Sequence, residues 1–390
     1  MLNVLKIKDV ICAEIKGIWG DEPTPGSVTT PVIKTNNMTY DGCISYDNLA
    51  YRVIPENKLA SSYLLNGDIL IEKSGGTRTH SVGYVNIFEN ADNRYVCNNF
   101  VVAIRPDKDK IIPKYLFYQM KHFYETGVFS DCYNKTTGIQ NLKVSTYLDK
   151  KITCPDFTIQ KQNVSFLDKV VGSISAKKEQ LKQLDELVKS RFIEMFGKYF
   201  EDEKALCKLE NICTATIGLT YKPTNISTNG TIVLRSGNIQ NNELYLLDDI
   251  VRVSNIKING DKYIHENDIL MCSRNGSARL VGKSCLITKI QEPMSFGAFM
   301  TVIRCEYPYF LQAFFCSDYF KQQLTGTQTA SVNQITTKML YNYLVIKPQK
   351  DDENTFAEFV KQVDKSKFIV QKQIEDLQEL LDSKMDEYFG

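Results

Sequence analysis

The sequence predicts an α+β fold with a pseudo-twofold internal repeat. Two similar, mixed, β-rich domains are separated by two long antiparallel coiled-coil helices. Three observations carry this. The stretch Ser165–Gly197 has the spacing of a long helix and recurs as Thr355–Gly390. The offset of 193 residues between Gly197 and Gly390 also pairs Pro155 with Pro348, Leu142 with Ile335 and Leu184 with Leu377. A similarity held at one offset over that distance is an internal repeat. Short β-branched runs bounded by turn residues precede each helix in the same order, which is a strand signal.

The helices come first because they fix the frame. In the first copy Leu167, Val170, Ile174, Leu181, Leu184, Val188, Phe192 and Met195 recur at helical spacing, and in the second Val360, Val363, Val370, Ile374, Leu377, Leu381, Met385 and Tyr388 do so. Such spacing leaves one narrow apolar seam, the coiled-coil pattern. Packing between the helices is expected at Leu167, Ile174, Leu181, Leu184 and Val188, and at Val363, Val370, Ile374, Leu377 and Leu381. About 35 residues at about 1.5 Å each give a rod of about 50 Å.

The remaining chain divides around these rods. Residues 1–155 form the first domain and 156–197 the first helix. Residues 198–348 form the second domain and 349–390 the second helix. Within the first domain, 68–72 (DILIE), 83–88 (GYVNIF), 100–104 (FVVAI) and 151–154 read as strands, and a helix follows Pro113, with Gly127 near its end. The second domain answers in order. LCKLENI at 206–212 matches LKIKDVI at 5–11, and NDIL at 267–270 matches GDIL at 67–70. SFGAFMTVI at 295–303 follows as a strand, a helix spans 307–319, and a polar loop spans 325–335.

Composition narrows the function. The chain has 390 residues, 43% hydrophobic and 24% charged, which suits a globular protein of two or three domains. No apolar run is long enough for a membrane span, and the start lacks a signal-peptide pattern, so a cytoplasmic protein without a membrane partner is expected. The 11 cysteines are scattered and contain no C-x-x-C pair. Neither a zinc ribbon nor a disulfide framework is indicated. His80, His122 and His265 show no metal-ligand spacing, so no metal and no cofactor are expected. The formal charge of +1 advertises no nucleic-acid partner, yet a local basic face suffices for one.

Catalytic motifs fail on inspection. Gly276 and Gly282-Lys283-Ser284 resemble a phosphate loop but enclose five residues where the motif needs four. Asp68, Glu72 and Lys73 are poorly spaced for a nuclease site, because Glu72 and Lys73 are adjacent and face opposite sides of a strand. No nucleophile elbow occurs. The chain reads as non-catalytic, with Asp68 and Asp268 serving the turn before a strand.

Binding signals recur in both domains. After each DIL strand comes a small, polar, flexible loop. In the first it carries Lys73, Ser74, Thr77, Arg78, Thr79 and His80; in the second Ser273, Arg274, Asn275, Ser277 and Arg279. Later loops repeat that chemistry with Asn134, Lys135, Thr136, Thr137 and Gln140, and with Thr329, Ser331, Asn333 and Gln334. Arg235 and Asn238 are further candidates. Arg and Lys reach phosphates or guanine edges, hydroxyls and amides donate to phosphates, and Asn or Gln pairs with adenine. Recurrence at matching places predicts a DNA-binding face in each domain.

The order domain–helix–domain–helix, the stretches GDILIEKSGGT (67–77) and NDILMCSRNGS (267–277), and the helix end LDELVKSRFIEMFG (184–197) resemble the specificity subunits of type I restriction–modification systems. The resemblance covers essentially the whole chain. It implies two target-recognition domains, each reading half of a split, asymmetric site on double-stranded DNA. It implies helices that act as a ruler and as the dock for two methyltransferase subunits, with restriction subunits joining the complex. A different restriction class, with a fused nuclease–methyltransferase partner, shares this pattern. From another class, a scaffold or adaptor with a coiled-coil spacer and no DNA binding also accounts for the repeat.

Overall fold

The structure is a computed structural model, and it describes residues 3–390 apart from 78–79, 91–93, 135–138 and 328–332, and apart from the side chains of 326 and 327. The chain forms two compact units, Met1–Lys177 with Gln373–Gly390, and Lys178–Lys372.

The first unit is built on a four-stranded antiparallel sheet. Its strands are β1 (Ile11–Lys16), β2 (Ile69–Glu72), β3 (Val85–Ile87) and β4 (Val101–Pro106), in the order β1-β4-β2-β3. Successive side chains of a strand face opposite ways, and here both faces are covered. Ile69 and Ile71 join Val102 and Ile104 in one core with Tyr115 and Leu116 of helix α1 (Pro113–Glu125). Leu70 and Ala103 point into a second core with Ile33, Met38 and Phe88. That is why β2 reads as a continuous apolar run and not as an alternation. Beside it, Thr30–Ile33 pairs parallel with Val96–Cys97 and antiparallel with Ala50–Arg52. Asn3–Lys6 pairs antiparallel with Lys151–Cys154.

Helix α2 (Phe157–Phe196) follows at once and is 40 residues long, a rod of about 60 Å. Asp156 caps it, accepting hydrogen bonds from the amides of Thr158 (2.9 Å) and Ile159 (3.1 Å). Its segment up to Lys177 belongs to the first unit and the rest to the second.

The second unit repeats the topology. Strands β5 (Cys213–Ile217), β6 (Ile269–Cys272), β7 (Ser284–Leu286) and β8 (Met300–Cys305) lie in the order β5-β8-β6-β7. Thr231–Leu234 again pairs parallel, here with Met294–Phe296. Leu206–Lys208 pairs with Leu344–Ile346 as Asn3–Lys6 does with Lys151–Cys154. Helix α3 (Pro308–Cys316) takes the place of α1, and helix α4 (Lys350–Phe389), also 40 residues, that of α2. One difference from the expected layout follows α3. Asp318–Thr327 is helical where a loop is expected from 325, because Phe320 and Leu324, four residues apart, fill the core of this unit.

Each DIL strand is anchored by the same clamp. Asp68 is buried and receives two bonds from Arg105, from Nε at 2.9 Å and Nη2 at 2.8 Å, and one from the amide of Leu65 at 2.8 Å. Asp268 receives 2.8 and 2.9 Å bonds from Arg304 and a 2.8 Å bond from the His265 amide. The residue before each aspartate has positive φ, 97° at Gly67 and 69° at Asn267. Gly and Asn tolerate that conformation best. Both aspartates thus hold the turn, as their place in the sequence suggests.

Each unit is closed by a helix end. In the first, Met385 and Phe389 of α4 share a core with Leu167 of α2, and the Phe389 ring lies 5.2 Å from Tyr115. In the second, Phe196 of α2 lies 4.9 Å from Phe310 and 5.6 Å from Phe356. Within that unit the helices run antiparallel. Asp185 pairs with Lys367 at 2.9 Å, Arg191 lies over Phe359, and Phe196 meets Phe356. Leu167, Ile174, Val363, Val370 and Ile374 are buried; Leu181, Leu184, Val188, Leu377 and Leu381 are half-buried.

The two helix starts are also matched, with one chemical difference. Gln160 of α2 accepts from the Ile112 amide (2.8 Å) at the start of α1 and donates to the Pro155 carbonyl (2.8 Å). At the equivalent place, Glu353 of α4 accepts from the amides of Tyr309 (3.1 Å) and Phe310 (3.0 Å) at the start of α3. Burial pushes the Glu353 carboxyl up to about 7. Between its unfolded value near 4.5 and about 7, the folded state holds more protons than the unfolded state. Its stability contribution is therefore complete below about 4.5 and lost as pH rises through about 7. Glu353→Gln, which copies Gln160, is expected to raise the thermal midpoint at pH 8 and to leave it nearly unchanged at pH 5, as measured by calorimetry at both.

Candidate functional site

In the first unit the candidate loop grows from the end of β2. Glu72 is buried there, and burial pushes its carboxyl up to about 7. Gly75 (φ 134°) and Gly76 (φ 73°) turn the chain above it. Ser74–Gly75 then pairs antiparallel with Gln140–Asn141, and the Leu142 amide donates to the Lys73 carbonyl at 2.8 Å. The Ser74 hydroxyl bonds to Asn141, and the Val82 amide donates to the Gln140 side chain at 3.2 Å. His80 donates from its amide to the Thr77 hydroxyl (3.0 Å), and its ring stacks on Tyr40 at 3.8 Å.

The structure thus gathers Lys73, Ser74, Thr77, His80 and Gln140 on one platform, with Thr77 exposed and the others half-buried. Asn134 is exposed, next to Tyr133, which bridges to Leu142. Arg78, Thr79, Lys135, Thr136 and Thr137 lie outside the described residues, as do Thr329 and Ser331 in the second unit.

The second unit builds the same platform with other side chains. Arg274 bridges to Gln334, and the Ile335 amide donates to the Ser273 carbonyl at 2.7 Å. Asn333 donates from its amide group to the Gly276 carbonyl at 3.1 Å. Asn275 donates to the Ser236 hydroxyl at 3.2 Å and accepts from the Ser277 amide at 3.0 Å. Arg274 and Arg279 are exposed, while Ser277, Asn333 and Gln334 are half-buried.

Three candidates are placed away from solvent or already engaged. Ser273 is buried, and its hydroxyl donates to the Phe299 carbonyl at 3.0 Å. Asn238 is buried, accepts from the Arg235 amide at 2.8 Å and donates to the Tyr245 carbonyl at 3.2 Å. Asn37 does the same for Lys34 (3.0 Å), so Asn238 is a repeated turn-former and not a reader of bases. Arg235 is ion-paired with Asp249.

Two residues of the platform gave no polar signal in the sequence. The Phe100 carbonyl accepts from the amides of Lys73 (2.9 Å) and Ser74 (3.3 Å). The Phe299 carbonyl accepts from those of Ser273 (2.9 Å) and Arg274 (3.1 Å). Both rings are exposed, and the Arg274 guanidinium lies 5.3 Å over that of Phe299. The one clue was their shared place, just before an apolar strand.

Chemically, the described residues of both platforms offer cations, amides and hydroxyls on glycine-bearing loops. Among the described residues no group of three or more His, Cys, Asp or Glu is placed to hold a metal ion, and no helix is long and apolar enough to cross a membrane.

Comparisons with known proteins bear on this arrangement. Residues 3–186 match the family model of the type I restriction modification DNA specificity domain. The chain is 24% identical over 212 residues to the putative type I restriction enzyme MjaX specificity subunit of Methanocaldococcus jannaschii, covering 53% of this chain and 48% of that one. The chain thus spans about half the length of this curated relative. In fold it is similar, over its whole length, to the type I restriction-modification system S subunit of M. genitalium (TM-score 0.54, 14% identity, 96% of that chain). It is similar as well to a chain from a study of complex assembly and conformational transition of the type I R-M system (TM-score 0.52, 13% identity, 97% of that chain).

The platform geometry yields a paired test. A Cβ at Gly75 would stand 2.6 Å from Glu72 Oε1 at a φ that side chains avoid, whereas a Cβ at Gly276 meets nothing within 4 Å. Gly75→Ala is expected to cost about 1–3 kcal/mol locally. Hydrogen exchange at the Leu142 amide should accelerate in Gly75→Ala, while Gly276→Ala leaves the Ile335 amide as slow as before.

Proposed function

We infer that this chain, whose residues 3–186 match the family model of the type I restriction modification DNA specificity domain, is a non-catalytic DNA-recognition subunit of a type I restriction–modification complex. The observation that carries this reading is the platform built twice. Each unit raises a polar loop from the end of an equivalent strand, holds it by antiparallel pairing to an equivalent later segment, and fills it with different side chains. Equal scaffolds with unequal contact residues suit one double-stranded target read as two different halves. Exposed Arg274 and Arg279 and half-buried Lys73 suit phosphates or guanine edges, and Gln140, Asn333 and Gln334 suit adenine.

The helices supply the rest of the proposed assembly. Apolar side chains on their outer faces lack cover within the chain. Phe368 is 72% exposed, and Ile193 and Ile369 are more than half exposed. Contiguous apolar exposure is what a protein-interaction site offers, and the adjoining Phe368 and Ile369 are the stretch we assign to it. Two methyltransferase subunits are the proposed occupants, and restriction subunits enter through the assembled complex. The length of the helices sets the number of unread base pairs between the two halves.

The test is methylation mapping of genomic DNA from cells that carry this chain with its methyltransferase, against cells that lack the chain. A methylated split motif that disappears with the chain is expected, and replacing residues 1–155 should alter one half of it. Unchanged methylation sinks the reading in favour of a scaffold without DNA contact. Inserting seven residues in register into both helices adds about 10 Å, about three base pairs. The spacer in the mapped motif should lengthen by about that number while both halves stay the same.

A further inference from the structure

We propose that Phe100 and Phe299 are apolar base contacts, one ring in each unit, seated against the bases of the duplex beside the polar loops. The proposal rests on the DNA-recognition reading and adds to it a contact with no hydrogen-bonding group. The first support is exposure. Phe100 is 49% and Phe299 58% exposed. Among the described residues the other large exposed phenylalanines are Phe157 and Phe368, both on the long helices. Phenylalanine otherwise goes to the cores of this protein.

The second support is position. Each ring sits one residue before the central strand of its sheet, and each carbonyl receives two backbone amides from the first residues of the polar loop. The rings are therefore fixed to the platforms and not displayed on free loops. The third is repetition under divergence. The turn is Cys97-Asn-Asn-Phe100 in one unit and Phe296-Gly-Ala-Phe299 in the other. Their neighbours have changed while the ring has stayed, although the next residues, Val101 and Met300, are the ones that fill the cores. Packing does not account for an aromatic retained in solvent.

The fourth is company. Arg274 lies over the Phe299 ring, so cation and apolar face are presented together. A duplex offers the matching pair, an anionic backbone beside base edges and thymine methyl groups in the major groove. Aromatic and apolar side chains that touch bases contribute affinity that does not depend on releasing counterions.

The experiment uses the complex assembled with its methyltransferase subunits and a duplex carrying the mapped motif, with affinity measured against salt concentration. Phe299→Ala is expected to weaken binding about tenfold, the order expected for losing the burial of one large apolar side chain, and to leave the slope of log K against log salt unchanged. Arg274→Ala is expected to reduce that slope by about 0.9. Phe100→Ala should weaken binding similarly, and only through the half-site that replacement of residues 1–155 alters. Should Phe299→Ala lower the thermal midpoint, Phe299→Leu, which keeps apolar bulk without the ring, carries the comparison.

The outcomes separate the two levels. If the unaltered complex binds no specific sequence, the DNA-recognition reading falls and this proposal falls with it. If it binds, and the phenylalanine variants stay within about twofold of it, the proposal alone is overturned. It is overturned equally if those variants lose methyltransferase subunits and not DNA affinity, since the rings would then be protein contacts.

Discussion

The aromatic ends of the two long helices close the cores on which both platforms stand. Phe196 packs on Phe310 in one unit, and Phe389 packs on Tyr115 in the other. In both cases the partner belongs to the helix that lies against the four-stranded sheet, in the same core as the DIL strand. At their starts the long helices take hold of the same elements, through Gln160 and Glu353, at the first amides of α1 and α3. Large aromatic groups contribute much of the burial energy in a core, and their edge-to-face contacts constrain orientation as well as distance. Each sheet helix is thus gripped by the start of one long helix and the end of the other, which leaves it little freedom. The sheet and the loop above it inherit that restraint.

On that restrained frame the two loops diverge. The Asp–Arg clamp, the positive-φ turn and the parallel strand pair are common to both units, so they are structural. What changes lies at the loop. Glu72 becomes Cys272, and one unit carries a Tyr40–His80 stack while the other sets Arg274 over Phe299. A constant scaffold with changing tips is the economical way for one fold to contact two different surfaces.

The helices and the DIL strands were legible in the sequence because each leaves a periodic or unbroken apolar trace. The repeat was legible because the offset hardly drifts. Other features were not. The second sheet of each unit rests on strands of two to four residues paired over about 60 residues, too short for periodicity to register. The clamp joins Asp68 to Arg105 across 37 residues, and nothing local marks the pair. Asn238 looked like one more polar loop residue, whereas its side chain completes a turn from inside, which asparagine does with its own backbone. Phe100 and Phe299 were hidden for the opposite reason. In sequence they continue apolar strands, and only the fold turns them outward.

The make-up of the first unit also bears on how the chain is made. Its core takes in Met385 and Phe389, which follow the second unit along the chain, together with strands that precede it. A ribosome releases residues in chain order, so the first unit waits, with part of its apolar core open, until the second unit and the helical turns after it have emerged. The second unit draws only on residues 178–372 and is complete earlier. The unit that begins first along the chain is therefore completed after the one nested within it.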